Sequence, residues 1–128
     1  LSRVEFINGV SWENYINHCG QASVLLDPLY FGAGNSFYES MFYGTPTVTR
    51  PTKYTKSRLV LGAYNQMEID EAPIVESIND YVKRAVEIAN DKNLYDLKNN
   101  YIEKAKNKLY ENKKIIPNLE EIFTKIVN

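Results

Sequence analysis

The chain has 128 residues and is 44% hydrophobic, which suits one domain with a real core and excludes wholesale disorder. Its formal net charge is −1, so no broad field draws it toward nucleic acid or a membrane surface. One cysteine, Cys19, and one histidine, His18, exclude an internal disulfide and leave too few ligands for a metal site built from these residues.

The single cysteine fits a reducing compartment, and a cytoplasmic location is the expectation. No apolar run approaches the ~20 residues that a membrane helix needs, so no membrane span is expected. The chain opens on Leu1 and enters an apolar stretch almost at once, which predicts a fragment of a longer protein lacking an N-terminal domain.

In chain order, Val4-Glu5-Phe6-Ile7 alternates and predicts a short strand, turned by Asn8-Gly9. Ser11 is the expected N-cap of a helix whose apolar face is Trp12, Tyr15, Ile16 and Cys19, closed by Gly20. Ser23 to Leu26 predicts a buried parallel strand ending at Asp27-Pro28. A small-residue loop, Phe31 to Ser36, leads to a helix carrying Phe37, Tyr38, Met41 and Phe42, stopped by Gly44 and Pro46. Thr47-Val48-Thr49 is a third strand, Ser57 to Gln66 a helix, and Ala72 to Val75 a last edge segment. Ser77 and Asp80 resemble a capping box for a helix whose buried stripe is Ile78, Val82, Ala85, Val86 and Ala89. The Lys-, Asn- and Tyr-rich stretch from Asp91 to Asn112 has a sparse apolar stripe, and its balanced acids favour solvated helix faces over RNA stacking. Pro117-Asn118 announces a final helix, capped by Asn118, with Leu119, Ile122, Phe123, Ile126 and Val127 on its apolar face.

Alternating strands and helices predict βαβ units. The expected fold is α/β, a partial Rossmann-like doubly wound parallel sheet with C-terminal helices. Residues 1–90 form the sheet domain, incomplete at its N-terminus, and residues 91–128 form helices packing on it or toward a missing domain.

The chemistry concentrates between Asp27 and Val48. Ligands of open α/β sheets bind beyond the carboxyl ends of the strands, where the loop after Leu26 lies. Gly32 and Gly34 allow close backbone approach, and Asn35 and Ser36 open a helix whose free N–H groups and dipole favour phosphate. Glu39 follows one turn later, where a carboxylate accepts hydrogen bonds from the vicinal hydroxyls of a ribose. The plainer alternatives are a tight strand–helix turn and an acid placed to suit the helix dipole.

Tyr38-Glu39-Ser40-Met41-Phe42-Tyr43-Gly44-Thr45-Pro46-Thr47-Val48 resembles the E-x-M-x-x-G-x-P-x-V signature of GT-B glycosyltransferases. Leu26-Asp27-Pro28, Gly32 to Ser36, Glu39 and Gly44-Thr45-Pro46 are together similar to the O-linked N-acetylglucosamine transferase and SPINDLY-type family. The likeness runs over residues 3 to 66, through Thr47-Val48-Thr49-Arg50-Pro51 and Ser57-Arg58. It implies a glycosyltransferase whose donor is a nucleoside diphosphate sugar, a UDP-sugar such as UDP-GlcNAc by this likeness. Gly32, Gly34, Asn35 and Ser36 would hold the diphosphate, Glu39 the ribose, and Val10, Ser11 and Tyr15 the base. The family's His-Thr-Thr run at the diphosphate loop is here Gly34-Asn35-Ser36, and a basic side chain of the base-side helix is here Asn17 or His18.

The resemblance further implies metal-independent chemistry without a cofactor, a general base outside this chain, and upstream TPR repeats. The acceptor would be a protein or a glycan. This fragment alone would be inactive. Two other classes remain: a scaffold or sensing module that keeps the fold without binding nucleotide, and a dehydrogenase. The latter is disfavoured because Phe37 occupies the third glycine position of a dinucleotide fingerprint. His18 reads first as a solvated helix-end residue and only second as a nucleotide contact or acid–base group; Arg58 and Lys53 read equally as phosphate contacts or surface cations, and Cys19 reads as core.

Overall fold

The computed structural model describes residues 2–127. Among them are six helices and one small parallel sheet, so the chain is mixed α/β but mostly helical. The helices are α1 (Trp12–Gln21), α2 (Asn35–Met41), α3 (Leu59–Met67), α4 (Ile78–Ala89), α5 (Leu94–Lys108) and α6 (Ile115–Val127). The strands are β1 (Leu25–Leu26) and β2 (Thr47–Val48), joined through α2 as one βαβ unit. A full doubly wound sheet is not formed among the described residues.

Register fixes which side chains face which layer. Leu25 pairs with Thr47 and Leu26 with Val48, while Thr49 bridges to Ile74. Side chains alternate across a strand, so Leu25, Thr47, Thr49 and Ile74 share one face and Val24, Leu26, Val48 and Val75 the other. The larger core lies on the first face, where Phe37 and Met41 of α2, Val60 and Tyr64 of α3, and Tyr101 and Ala105 of α5 meet. The second face holds Val48 against Tyr81 and Ile88 of α4. The expected last edge segment is therefore present as a single bridge at Ile74.

β2 has its backbone bonded on both edges. One edge serves β1, through Leu25 N–H to the Pro46 carbonyl at 2.8 Å and Asp27 N–H to the Val48 carbonyl at 3.0 Å. On the other edge, the Tyr64 hydroxyl accepts from Thr47 N–H at 2.8 Å and donates to the Thr47 carbonyl at 3.0 Å. One step on, Thr49 N–H donates to the Pro73 carbonyl and Val75 N–H to the Thr49 carbonyl, each at 3.0 Å. A tyrosine side chain thus replaces one rung of a missing strand, which buried backbone groups require.

Four local expectations fail for identifiable reasons. Val4–Ile7 is irregular and exposed, with Phe6 86% accessible; an alternating pattern makes a strand only when a neighbour covers its apolar face. Gly20 does not end α1, which continues to Gln21 and is capped by extended Ala22; Gly20 is small because a Cβ there would lie 2.9 Å from the Tyr43 ring. On α4, Ile78, Val82, Val86 and Ala89 face solvent, and the helix buries Tyr81 and Ile88 instead. The Tyr81 hydroxyl donates to the Asp27 carbonyl at 2.8 Å, and this bond orients α4 on the side that the apolar count alone would not choose. Asn118 is not a cap: α6 begins at Ile115 and Pro117 sits in its first turn, where a missing N–H costs nothing.

The Ser77 cap does form. Its hydroxyl accepts from Asp80 N–H at 3.0 Å, and the short Asp80 carboxylate reaches the same hydroxyl at 2.6 Å. The predicted helix from Ser57 begins at Leu59, after a 3₁₀ turn over Thr55–Ser57. α5 belongs to the main core, whereas every described residue of α6 is exposed. No helix among the described residues is long and apolar enough to cross a membrane.

Candidate functional site

The loop after β1 is pinned from below by a buried carboxylate. Asp27 accepts from Ala33 N–H at 2.6 Å through one oxygen and from the Thr49 hydroxyl at 2.5 Å through the other. Gly32 N–H donates to the Lys56 carbonyl at 2.8 Å, and a Cβ on Gly32 would lie 3.1 Å from that carbonyl oxygen. Gly32 is thus fixed by packing, and its amide is not free for a phosphate. The amides of Gly34, Asn35 and Ser36 have no partner among the described residues, and they open α2 with Asn35 exposed. These three donors are what the loop offers an anion.

Glu39 lies one turn beyond Asn35 on the same face of α2. It lines a cavity of about 490 Å³ between α2 and α1. Tyr38 of α2, Phe42 and Tyr43 in the turn just after it, and Trp12, Glu13, Ile16 and Asn17 of α1 complete the walls, with Tyr110 after α5. The rings meet at steep angles: Phe42 stands 5.5 Å from Tyr43 at 78° and 6.1 Å from Tyr110 at 68°. The Tyr110 hydroxyl donates to the Tyr38 carbonyl at 2.5 Å, which holds the chain after α5 against α2. Burial pushes the Tyr110 phenol up to about 12, so it stays a hydrogen-bond donor at neutral pH.

The expected base-binding residues divide. Val10 and Ser11 are exposed and do not line the cavity; the Ser11 hydroxyl caps α1 by accepting from Asn14 N–H at 3.3 Å. Tyr15 is half-buried, and its phenol is pushed upward by desolvation and by the adjoining Cys19 thiol and Glu39 carboxylate. It is not among the cavity walls. Trp12, 68% exposed, is the α1 aromatic that faces the cavity. Its position on the predicted apolar stripe assigned it to core, although Trp12, Glu13 and Asn17 at i, i+1 and i+5 also mark one side of a helix.

α1 reaches its place through contacts at its C-terminal end. The Thr45 hydroxyl donates to the Cys19 carbonyl at 2.8 Å. The Lys98 ammonium donates to the Gly20 and Ala22 carbonyls at 2.8 and 2.7 Å, a cation where the helix dipole is negative. Desolvation lowers the pKa of Lys98. His18 is exposed in the last turn of α1, and Cys19 is half-buried. Arg58 donates to the Thr52 carbonyl at 2.9 Å and Lys53 lies 5.3 Å from the Tyr54 ring centre; neither lines the cavity.

No group of three or more His, Cys, Asp or Glu side chains is placed to hold a metal ion among the described residues. No protein-family model and no curated protein matches this chain.

Proposed function

We propose that this chain is the donor-binding portion of a glycosyltransferase that uses a nucleoside diphosphate sugar. The observation that carries the reading is the position of Glu39: it lines the aromatic cavity one helical turn from three unpartnered amides. That spacing suits a ribose on the carboxylate, a base among the aromatic rings and a diphosphate at the start of α2. The resemblance to GT-B enzymes supports the same assignment from sequence, with a sugar passed to a protein or glycan acceptor.

In this reading Asn35 and Ser36, with the amide of Gly34, offset the charge that develops on the departing diphosphate. Gly32 positions the loop. The general base lies outside this chain, so the chain alone binds donor weakly and transfers nothing.

The test is a UDP and GDP titration followed by amide NMR on the wild type and Glu39→Ala. Shifts confined to Gly32–Glu39 and the α1 face of the cavity, lost in the variant, are expected. A dispersed spectrum unmoved by millimolar nucleotide would sink the donor reading and favour a scaffold that keeps the fold without the ligand.

A further inference from the structure

The net charge of −1 hides an uneven distribution. Between Glu39 and Glu68 the chain carries Arg50, Lys53, Lys56 and Arg58 and no acid. Lys53, Lys56 and Arg58 are exposed, and none has a carboxylate within ion-pair distance among the described residues. Asp27 lies beneath them, buried, with both carboxylate oxygens already bonded. Exposed charges more than about 10 Å apart are largely screened, so a partner feels this local excess of cations whatever the sum over the chain.

β1 and β2 are parallel, so the loops that leave their carboxyl ends emerge together. The bond from Gly32 N–H to the Lys56 carbonyl ties one loop to the other. Tyr30 and Phe31, just before Gly32, are 87% and 67% exposed, and Tyr54, two residues before Lys56, is exposed as well. Three aromatic rings therefore stand beside three unpaired cations at one end of the sheet. The second loop is held by its own hydrogen bonds. Thr52 N–H donates to the Ser57 hydroxyl at 3.1 Å, that hydroxyl donates to the Tyr54 carbonyl at 3.0 Å, and Arg58 donates to the Thr52 carbonyl at 2.9 Å. Little freedom is left to lose when it meets a partner.

Phe31 is wholly apolar, tyrosine joins an apolar ring to a polar hydroxyl, and lysine an apolar stem to a charged head. That mixture fits a boundary that is apolar on one side and anionic on the other, the headgroup region of a bilayer with acidic phospholipid. A base-stacking surface is a poorer match, because the Lys53 ammonium stands 5.3 Å from the Tyr54 ring centre and covers one of its faces. An acidic peptide would answer the cations and leave Phe31 unused.

We propose that the paired loops 30–32 and 53–58 dock the chain onto an anionic phospholipid surface, the cations meeting headgroups and Phe31 entering the boundary. The test is co-sedimentation of the intact chain with vesicles of phosphatidylcholine alone and of an equimolar mixture with phosphatidylserine. The chain should bind the mixture at least about tenfold more tightly, and added salt should remove the difference. The double variant Lys53→Glu, Lys56→Glu should weaken binding to the mixture by at least about tenfold. Phe31→Ser should weaken it by about threefold. Far-UV circular dichroism confirms that each variant is folded. Absence of binding to the mixture, or binding that either variant leaves unchanged, overturns the proposal. So does tighter binding to a single-stranded oligonucleotide or to polyglutamate than to the vesicles, which would give the patch to a different class of partner.

Discussion

Helices α2 and α1 form the two walls of one cavity, yet they are held by different means. α2 buries Phe37, Ser40 and Met41 completely or nearly so, and its exit turn is locked against α5. α1 buries no residue fully and is tied at its C-terminal end by hydrogen bonds from Thr45 and Lys98. The wall that carries Glu39 is therefore built into the core, while the wall that carries Glu13 and Trp12 rests on the surface. A site made this way has one fixed wall and one that is free to adjust.

The greatest damage to the rigid wall should come from Gly44→Ala. Gly44 has φ +69°, and a Cβ there would lie 2.1 Å from the Lys98 carbonyl oxygen in the α5 backbone. Left-handed strain and overpacking together should cost at least about 3 kcal/mol. Urea denaturation measures it, and a loss under about 1 kcal/mol would mean that α5 gives way easily.

Tyr64→Phe comes next. It removes the hydroxyl that serves both the N–H and the carbonyl of Thr47, leaving two buried backbone groups unpaired at a cost of about 2–4 kcal/mol. The ring contacts with Phe37 at 5.7 Å and Tyr101 at 5.9 Å would remain. A neutral result would require water to enter beside β2 and take over both bonds.

Alkaline titration probes the core behind the fixed wall without mutation. Burial raises Tyr81 and Tyr101 to about 12 and drives Tyr64 higher still, all three in the core around α3, α4 and α5. A raised folded-state pKa gives stability that is fully present below the unfolded value of 10.0 and is lost as pH climbs toward 12. Lys98 acts in the opposite sense: its lowered folded pKa makes stability rise with pH until its unfolded value of 10.5 is passed. One lysine is outweighed by three tyrosines, so the chain should unfold between pH 10 and 12, with the buried phenols adding a cooperative step of tyrosinate absorbance, together with loss of helix, to the gradual rise from the exposed ones. Tyrosinate absorbance that reached its full value before helix was lost would show the buried phenols open to solvent.

The signature in the sequence separates in the structure into scaffold and chemistry. Met41, Pro46 and Val48 are fully buried and Gly44 makes the close approach to α5, so four of its five marked positions serve packing. Only Glu39 faces the cavity. That is why βαβ order and the Asp27–Val48 region were legible: core residues impose strong local patterns. The wider sheet was not, because Val4–Ile7 carries strand composition without a covering partner. The orientation of α4 was hidden too, since a single long-range bond from Tyr81 decides it. On α1, cavity-lining Trp12 and Ile16 belong to the apolar stripe itself and Glu13 and Asn17 sit beside it, and periodicity cannot separate a ring that faces core from one that faces a cavity.

The smallest expected effect is the most local. Ser11→Ala removes the hydroxyl that caps α1 and should cost about 0.5–1 kcal/mol, at the low end because the cap is exposed and its bond is 3.3 Å long. Because α1 buries no residue fully, this loss should appear as fraying of its first turn rather than as a shift of the whole unfolding transition. Hydrogen exchange would show faster amides at Asn14 and Tyr15 with those of Met41 and Phe42 unchanged. If exchange instead rose equally in both helices, α1 and α2 would open as one unit, and the contrast between a fixed and an adjustable wall would be lost.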